Sequence, residues 1–173
     1  MKIDCNRVIG NLLQGAFPPP GPHVARYAQV LVLCAVELQP HAENYPAVRV
    51  VHAPIDDAPE RPMYREELMI ARRAARIVRS SLDAGLTCLV TCHMGLNRSG
   101  LVSALALMLP AQGVYTPDSM TPGCLTSDQA IRLVRRARSD YALGNPQFVD
   151  VLAHTDGVCG RRPQMLRMDT ILP

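Results

Sequence analysis

No tryptophan occurs in this chain, and only two phenylalanines and five tyrosines supply aromatic surface. Any core it builds must therefore be aliphatic. No apolar run approaches the roughly 20 residues that a membrane-spanning helix needs, which excludes the helical membrane class and a membrane partner. Met1-Lys2-Ile3-Asp4 lacks the charged start and apolar stretch of a signal peptide, so a cytoplasmic location is expected. The six cysteines show no framework spacing and no accompanying export signal, so reduced thiols are expected rather than a disulfide scaffold. Histidines and cysteines do not fall at metal-ligand spacing, and no metal or cofactor is expected. The net charge of +3 is too small to choose a partner by itself. What remains is a chain of 173 residues, 48% apolar, long enough for one domain with a real core and too short for two.

Read in order, Ile3, Val8, Ile9, Leu12 and Leu13 predict two short opening strands ending at Gln14-Gly15. Pro18-Pro19-Pro20-Gly21-Pro22 forces a loop, and His23 to Ala28 fits a short helix or turn. Gln29 to Val36 is a continuous apolar run of strand length, as expected of a strand buried on both faces. Val48 to Ala53 is a further strand, closed by Pro54, and Ile55 to Pro62 is a loop. From Met63 to Ala84 apolar residues recur at helical spacing. Leu68, Ala71, Ala75, Val78 and Leu82 share one face, Arg65, Arg72, Arg73, Arg76 and Arg79 lie mostly on the others, and Gly85 serves as the cap. Those arginines read most simply as a solvated face. Leu86 to Thr91 is another buried strand and Leu101 to Leu109 an apolar helix. Pro110 to Leu125 is irregular. Thr126 and Gln129 form a capping box for a helix to about Arg138, and Pro146 to Ala153 predicts a last helix. Strands alternating with helices predict an α/β fold: one domain, a mostly parallel sheet of about five strands flanked by helices. The domain is expected to span residues 1–154, with 155–173 an extended or mobile tail.

The chemistry concentrates in Val90-Thr91-Cys92-His93-Met94-Gly95-Leu96-Asn97-Arg98-Ser99-Gly100. A strand enters this stretch and a helix leaves it, with Cys92 at the strand's end and Arg98 where the helix starts. Five residues separate the two, so a loop curling round a small centre aims both at one point. Successive backbone N–H groups in such a loop form a nest, and the helix N-terminus adds positive potential. The object that fits is a dianionic phosphoryl group. Arg98 would grip two of its oxygens with a planar fork. The same field favours the thiolate, the form in which Cys92 attacks phosphorus. Gly95 sits mid-loop, where a residue without Cβ is easiest to accommodate. In open α/β sheets ligands bind at the carboxyl ends of strands, where this loop falls.

Cys92, Gly95, Arg98 and Ser99 match, position by position, the signature of the cysteine-based protein phosphatases, and the chain resembles their dual-specificity branch. The likeness extends to Leu13-Gln14-Gly15 and to Ala130 to Arg138 followed by Asn145-Pro146-Gln147-Phe148. The segment from Pro110 to Leu125 is longer than usual in that family. The resemblance implies hydrolysis of phosphotyrosine in phosphorylated proteins, with phosphoserine and phosphothreonine as further candidates, through a phosphocysteine intermediate. It implies Cys92 as nucleophile, with His93, Met94, Gly95, Leu96 and Asn97 forming the phosphate loop. Arg98 stabilises charge, and Ser99 hydrogen-bonds the sulfur. The general acid belongs on the loop after the Val48–Ala53 strand. Asp56 and Asp57 both qualify there, Asp57 is the expected acid because relatives place theirs second, and Glu60 is a weaker third.

The family usually carries histidine just before the nucleophile, whereas here Thr91 stands there and His93 comes after. A threonine hydroxyl brings no imidazole, so modest activity or an optimum at higher pH is expected. Gly95-Leu96-Asn97-Arg98-Ser99-Gly100 also resembles the RNA 5′-triphosphatase branch, which would make an RNA 5′ end the substrate. Phosphoinositides fit less well, because the loop interior lacks lysines. A third alternative is a non-catalytic phosphopeptide-binding module. In the tumour-suppressor lipid phosphatase branch a cysteine placed like Cys34 forms a disulfide with the nucleophile. This makes Cys34 a candidate redox partner of Cys92, against the simpler reading of a core residue. Cys88, four residues back on the same strand, is roughly 13 Å away and a poorer partner.

Overall fold

The computed structural model describes residues 2–111 and 124–155. Strands β1 (Cys5–Ile9) and β2 (Leu12–Ala16) form an antiparallel hairpin. Its turn needs a left-handed residue, and Gly10 supplies one at φ 50°. Strand β3 (Val30–Ala35) follows a short 3-10 turn at Pro22–Arg26, and β4 (Arg49–Ile55) follows another at Ala42–Asn44. Helix α1 (Arg65–Asp83) leads to β5 (Cys88–Cys92), and α2 (Arg98–Met108) leaves it. Helices α3 (Ser127–Arg138) and α4 (Pro146–Ala153) close the described chain. The sheet runs β1-β2-β5-β3-β4, and every pairing except β1 with β2 is parallel. The predicted α/β architecture is the observed one.

Every residue of β3 and β5 is buried, as their unbroken apolar runs require of central parallel strands. Alternation splits them between two cores. Leu31, Leu33 and Leu89 join Ile3, Leu13, Val24, Ala28 and Tyr45 on one face. Val30, Val32, Cys34, Cys88, Val90 and Cys92 face the other, where the buried residues of all four helices collect. The helices therefore gather on one side of the sheet rather than wrapping it. The opposite face is covered by loops, pinned by Tyr45, whose hydroxyl donates to Pro18 O at 3.1 Å.

Helix α2 is buried along its whole length and packs against the other three helices and β5. That central place fixes the loop preceding it. Helix α1 buries Ala71, Ala74, Ala75, Val78 and Leu82, with Val78 and Leu82 each worth about 1.5–3 kcal/mol. Gly85, just past its end, takes φ 77°, the conformation a helix-terminating glycine adopts. Arg79 departs from the solvated-face reading: it is buried and ion-paired with Asp83. Pro54 departs too. It lies inside β4 instead of ending it, because β4 is an edge strand and the register shifts there between Leu33 and Ala35, sparing the missing N–H. Helix α2 begins at Arg98, three residues before its apolar run. The capping box expected for α3 behaves as its residue types dictate. Thr126 Oγ1 accepts from Gln129 N at 3.3 Å, and Gln129 Oε1 accepts from Thr126 N at 3.0 Å.

Cys5, Cys34, Cys88 and Cys92 are free thiols. Cys124 is disulfide-bonded, against the expectation of reduced thiols throughout. Among the described residues no helix is long and apolar enough to cross a membrane. Most of the irregular Pro110–Leu125 stretch and the tail beyond residue 155 lie outside the described residues.

Candidate active site

Strand β5 ends at Cys92, α2 begins at Arg98, and the loop between them curls at the carboxyl edge of the sheet. What gives this loop its shape is the fate of its carbonyls. Phe17 N donates to His93 O at 3.2 Å and Leu143 N to Leu96 O at 3.3 Å. Arg138 Nη2 donates to Met94 O at 3.0 Å, and Gln14 Nε2 to Gly95 O at 3.0 Å. Four successive carbonyls are thus held by donors outside the loop. A trans peptide points its N–H opposite to its C=O, so the N–H groups of Met94, Gly95, Leu96 and Asn97 turn towards the encircled centre, forming the nest. Gly95 is indispensable to this path. Its φ is 71°, and a Cβ there would stand 2.3 Å from Gly15 C and 2.5 Å from Gly15 O. Leu143, one of the outside donors, itself sits at φ 57°, an uncommon conformation for a bulky residue and one associated with functional constraint.

Cys92 is almost wholly buried, and its Sγ lies 3.3 Å from Ser99 Oγ. Thr91, immediately before Cys92, directs its hydroxyl to Val32 O at 3.0 Å. It secures β5 to β3, and its hydroxyl makes no hydrogen bond to Cys92. Arg98 forms a two-pronged pair with Glu37, at 2.6 Å from Nη1 and 2.9 Å from Nη2. Burial alone would lower the Arg98 pKa. The Glu37 hydrogen bonds, with the charges of Cys92, Glu37 and Asp57, together raise it. In return the Arg98 hydrogen bonds hold Glu37 below the ordinary carboxylate value, against a smaller opposing effect of burial. Arg98 Nε is buried and has no hydrogen-bond partner among the described residues.

The acid loop separates its two aspartates. Asp56 is exposed and ion-paired with Arg61 at 3.1 Å. Asp57 is turned to the Cys92–Arg98 loop, taking Asn97 Nδ2 at 3.0 Å and Asn145 Nδ2 at 2.8 Å. Glu60 is exposed. His93 and Met94 are exposed at the mouth, and Leu96 is partly buried. Cys34 is fully buried on the same face of the sheet as Cys92. The β3–β5 register pairs Leu33 with Thr91, so Cys34 and Cys92 are the next residues along neighbouring strands. Burial pushes the Cys34 thiol well above its usual range, and the nearby Cys92 adds to this. Among the described residues no cluster of three or more His, Cys, Asp or Glu could hold a metal ion.

Motif spacing does not reveal Glu37, Gln14 or Arg138 as parts of the site. Each carried a faint signal. Glu37 lies two residues past a buried strand, at the edge where ligands bind. Gln14 is a polar residue within a strand, wholly buried. Arg138 ends α3 and takes both Asp4 oxygens at 2.6 Å as well as Met94 O.

No family model and no curated protein matches the chain. Solved structures do. A mouse putative dual specificity phosphatase complexed with zinc tungstate is 22% identical, with TM-score 0.68 over 90% of this chain and 87% of that one. Human DUSP28 is 21% identical, with TM-score 0.66 over 93% and 98%. The human tyrosine phosphatase-like serine/threonine/tyrosine-interacting protein is 16% identical, with TM-score 0.65 over 92% and 100%. In topology and in nearly its whole described length, this chain has the fold of the dual-specificity phosphatases.

Proposed function

We propose that this protein hydrolyses phosphomonoesters, with phosphotyrosine in proteins as its first substrate and phosphoserine or phosphothreonine as further ones, by way of a phosphocysteine. One observation carries the reading. Cys92 stands at the edge of a loop whose N–H groups converge, and the buried Arg98 Nε faces no acceptor among the described residues. Buried donors are almost always satisfied, and a tetrahedral dianion would satisfy these. The similar mouse structure is a complex with zinc tungstate, and tungstate has the shape of phosphate.

In the first step the Cys92 sulfur forms a bond to phosphorus as the ester P–O bond breaks, and Asp57 gives its proton to the departing oxygen. In the second, Asp57 takes a proton from water, whose oxygen attacks phosphorus and expels the Cys92 thiolate. Ser99, 3.3 Å from that sulfur, donates a hydrogen bond to it as it leaves. Charge on the three equatorial oxygens meets the loop N–H groups and Arg98, so positioning and electrostatics do most of the work. Glu37 occupies both terminal nitrogens of Arg98 from one side, which aligns the guanidinium and leaves Nε and the adjoining Nη edge for the phosphoryl group. Asp57, rather than Asp56, is the acid, because Arg61 holds Asp56 in an ion pair.

The RNA 5′-triphosphatase alternative rests on the Gly95–Gly100 stretch, in which both ends of the Asn97 side chain are engaged by Asp57 and Gly144. A binding-only module would have no use for an acid beside the thiol. The deciding experiment measures phosphate release from phosphotyrosyl peptide, phosphoseryl peptide and triphosphate-ended RNA. Release from the phosphotyrosyl peptide is expected, with Cys92→Ser inactive yet still binding tungstate. Turnover of the RNA alone would move the substrate. Activity retained in Cys92→Ser would remove the nucleophile from the mechanism.

A further inference from the structure

Asp57 accepts hydrogen bonds at both carboxylate oxygens, and both donors are carboxamides: Asn97 Nδ2 at Oδ2 and Asn145 Nδ2 at Oδ1. The orientation of each amide is determined by a backbone donor at its other end. Asn97 Oδ1 takes Gly144 N–H at 2.9 Å, and Asn145 Oδ1 takes Gln147 N–H at 2.9 Å. A backbone N–H can meet only the oxygen of an amide, so the nitrogens face the acid. Three separate segments are tied at one carboxyl group: the acid loop after β4, the phosphate loop before α2, and the turn between α3 and α4.

Resting on the phosphatase reading, we propose that Asn97 and Asn145 are positioning residues that hold the Asp57 carboxyl in register with the phosphate loop. Neither side-chain amide touches the reacting atoms. Their service is to remove the rotational freedom of the acid before substrate arrives, so that proton transfer needs no search for geometry. Two donors make this workable. When Asp57 turns one oxygen to the leaving group, that oxygen exchanges its amide for the leaving oxygen, and the second amide keeps the carboxyl in place. Asn145 is almost wholly buried and anchors the acid to the helical scaffold. Asn97 belongs to the phosphate loop itself, so the acid and the phosphoryl group share one frame.

The competing account is that Asn145 merely caps α4. Asn145→Ser separates the two, because serine is as good a cap acceptor but brings no amide donor. The measurement is kcat/KM for an alkyl phosphate, whose poor leaving group needs the proton, beside that for p-nitrophenyl phosphate, whose leaving group does not. The alkyl ester should lose on the order of tenfold more than the aryl ester, the effect of one hydrogen bond to a charged group. In an Asp57→Asn background the same substitution should change the ratio no further. Equal losses on both esters, or an undiminished extra loss without Asp57, would overturn the proposal. The clamp is also read without turnover, from the side-chain amide resonances of Asn97 and Asn145 in the full chain, which should both shift in Asp57→Ala. Resonances that stay put in an active enzyme would sink the clamp alone. Shifted resonances in a wild type that hydrolyses no ester would sink the phosphatase reading and uphold the clamp.

Discussion

At the scale of single residues, the loop depends on shapes that near-equivalents lack. Arg98 meets Glu37 with both terminal nitrogens, and its Nε has no partner among the described residues. Lysine carries the charge on one atom and can serve only one of these. Arg98→Lys is expected to lower kcat/KM for an aryl phosphate by roughly a hundredfold or more, and a rate near wild type would remove Arg98 from catalysis. Gly95 admits no side chain, for its Cβ would overlap the Gly15 backbone. Gly95→Ala should displace the loop, costing turnover and oxyanion binding together while the sheet persists. Unchanged tungstate affinity in that variant would contradict the close approach.

Three carboxylates, Asp4, Glu37 and Glu67, are held below their ordinary values of 3.8, 4.5 and 4.5, chiefly by hydrogen bonds from Arg138, Arg98 and Arg61. Each binds its proton more weakly folded than unfolded. Its stabilisation is complete above the unfolded value and is lost as pH falls through the folded one. Tm should therefore be flat above about pH 5 and fall below it, less steeply in Glu37→Gln. Asp4 is largely exposed, so salt should weaken its share. An acid limb identical in wild type and Glu37→Gln would show that the Arg98 pair contributes nothing to folding.

At the scale of elements, Glu67 links helix α1 to the acid loop. Its Oε2 accepts from Tyr64 N at 2.9 Å, its Oε1 from Asp56 N at 3.2 Å, and Arg61 pairs with both oxygens. The first bond satisfies an N–H at the start of the helix, and the second fixes the backbone one residue before Asp57. Glu67→Ala should cost about 1–2 kcal/mol in denaturant unfolding. It should also slow an alkyl ester more than an aryl one, because the acid's loop loosens. A loss of stability with an unchanged ester ratio would show that Asp57 is held without it. The helix itself was legible from its apolar spacing. Glu67's second task was not, since nothing local joins a first-turn glutamate to a loop eleven residues back.

At the scale of the whole molecule, neighbouring parallel strands carry Cys34 and Cys92 to adjacent positions on one face. With mild peroxide, the Cys92 thiolate would take oxygen to form a sulfenic acid, and Cys34 would close a disulfide with loss of water. Burial, by holding Cys34 as a neutral thiol, favours the plain core role. Peptide mapping after peroxide and thiol rescue is therefore expected to show little Cys34–Cys92 crosslink, and equal recovery of activity in wild type and Cys34→Ser. A dominant crosslink would establish the redox partnership.

The sequence by itself determined the elements and the loop from Cys92 to Arg98. Periodicity, capping residues and buried runs act over a few residues, and Cys92 and Arg98 lie close enough along the chain for their spacing to bring them together. Only the tertiary structure decided what holds that loop and its acid. Gln14 lies 81 residues from Gly95, Glu37 61 from Arg98, and Asn145 88 from Asp57. No local pattern records such pairs. They exist because strand order and helix packing deliver distant side chains to the carboxyl edge of one sheet, where unmet backbone and carboxylate groups select their partners by geometry.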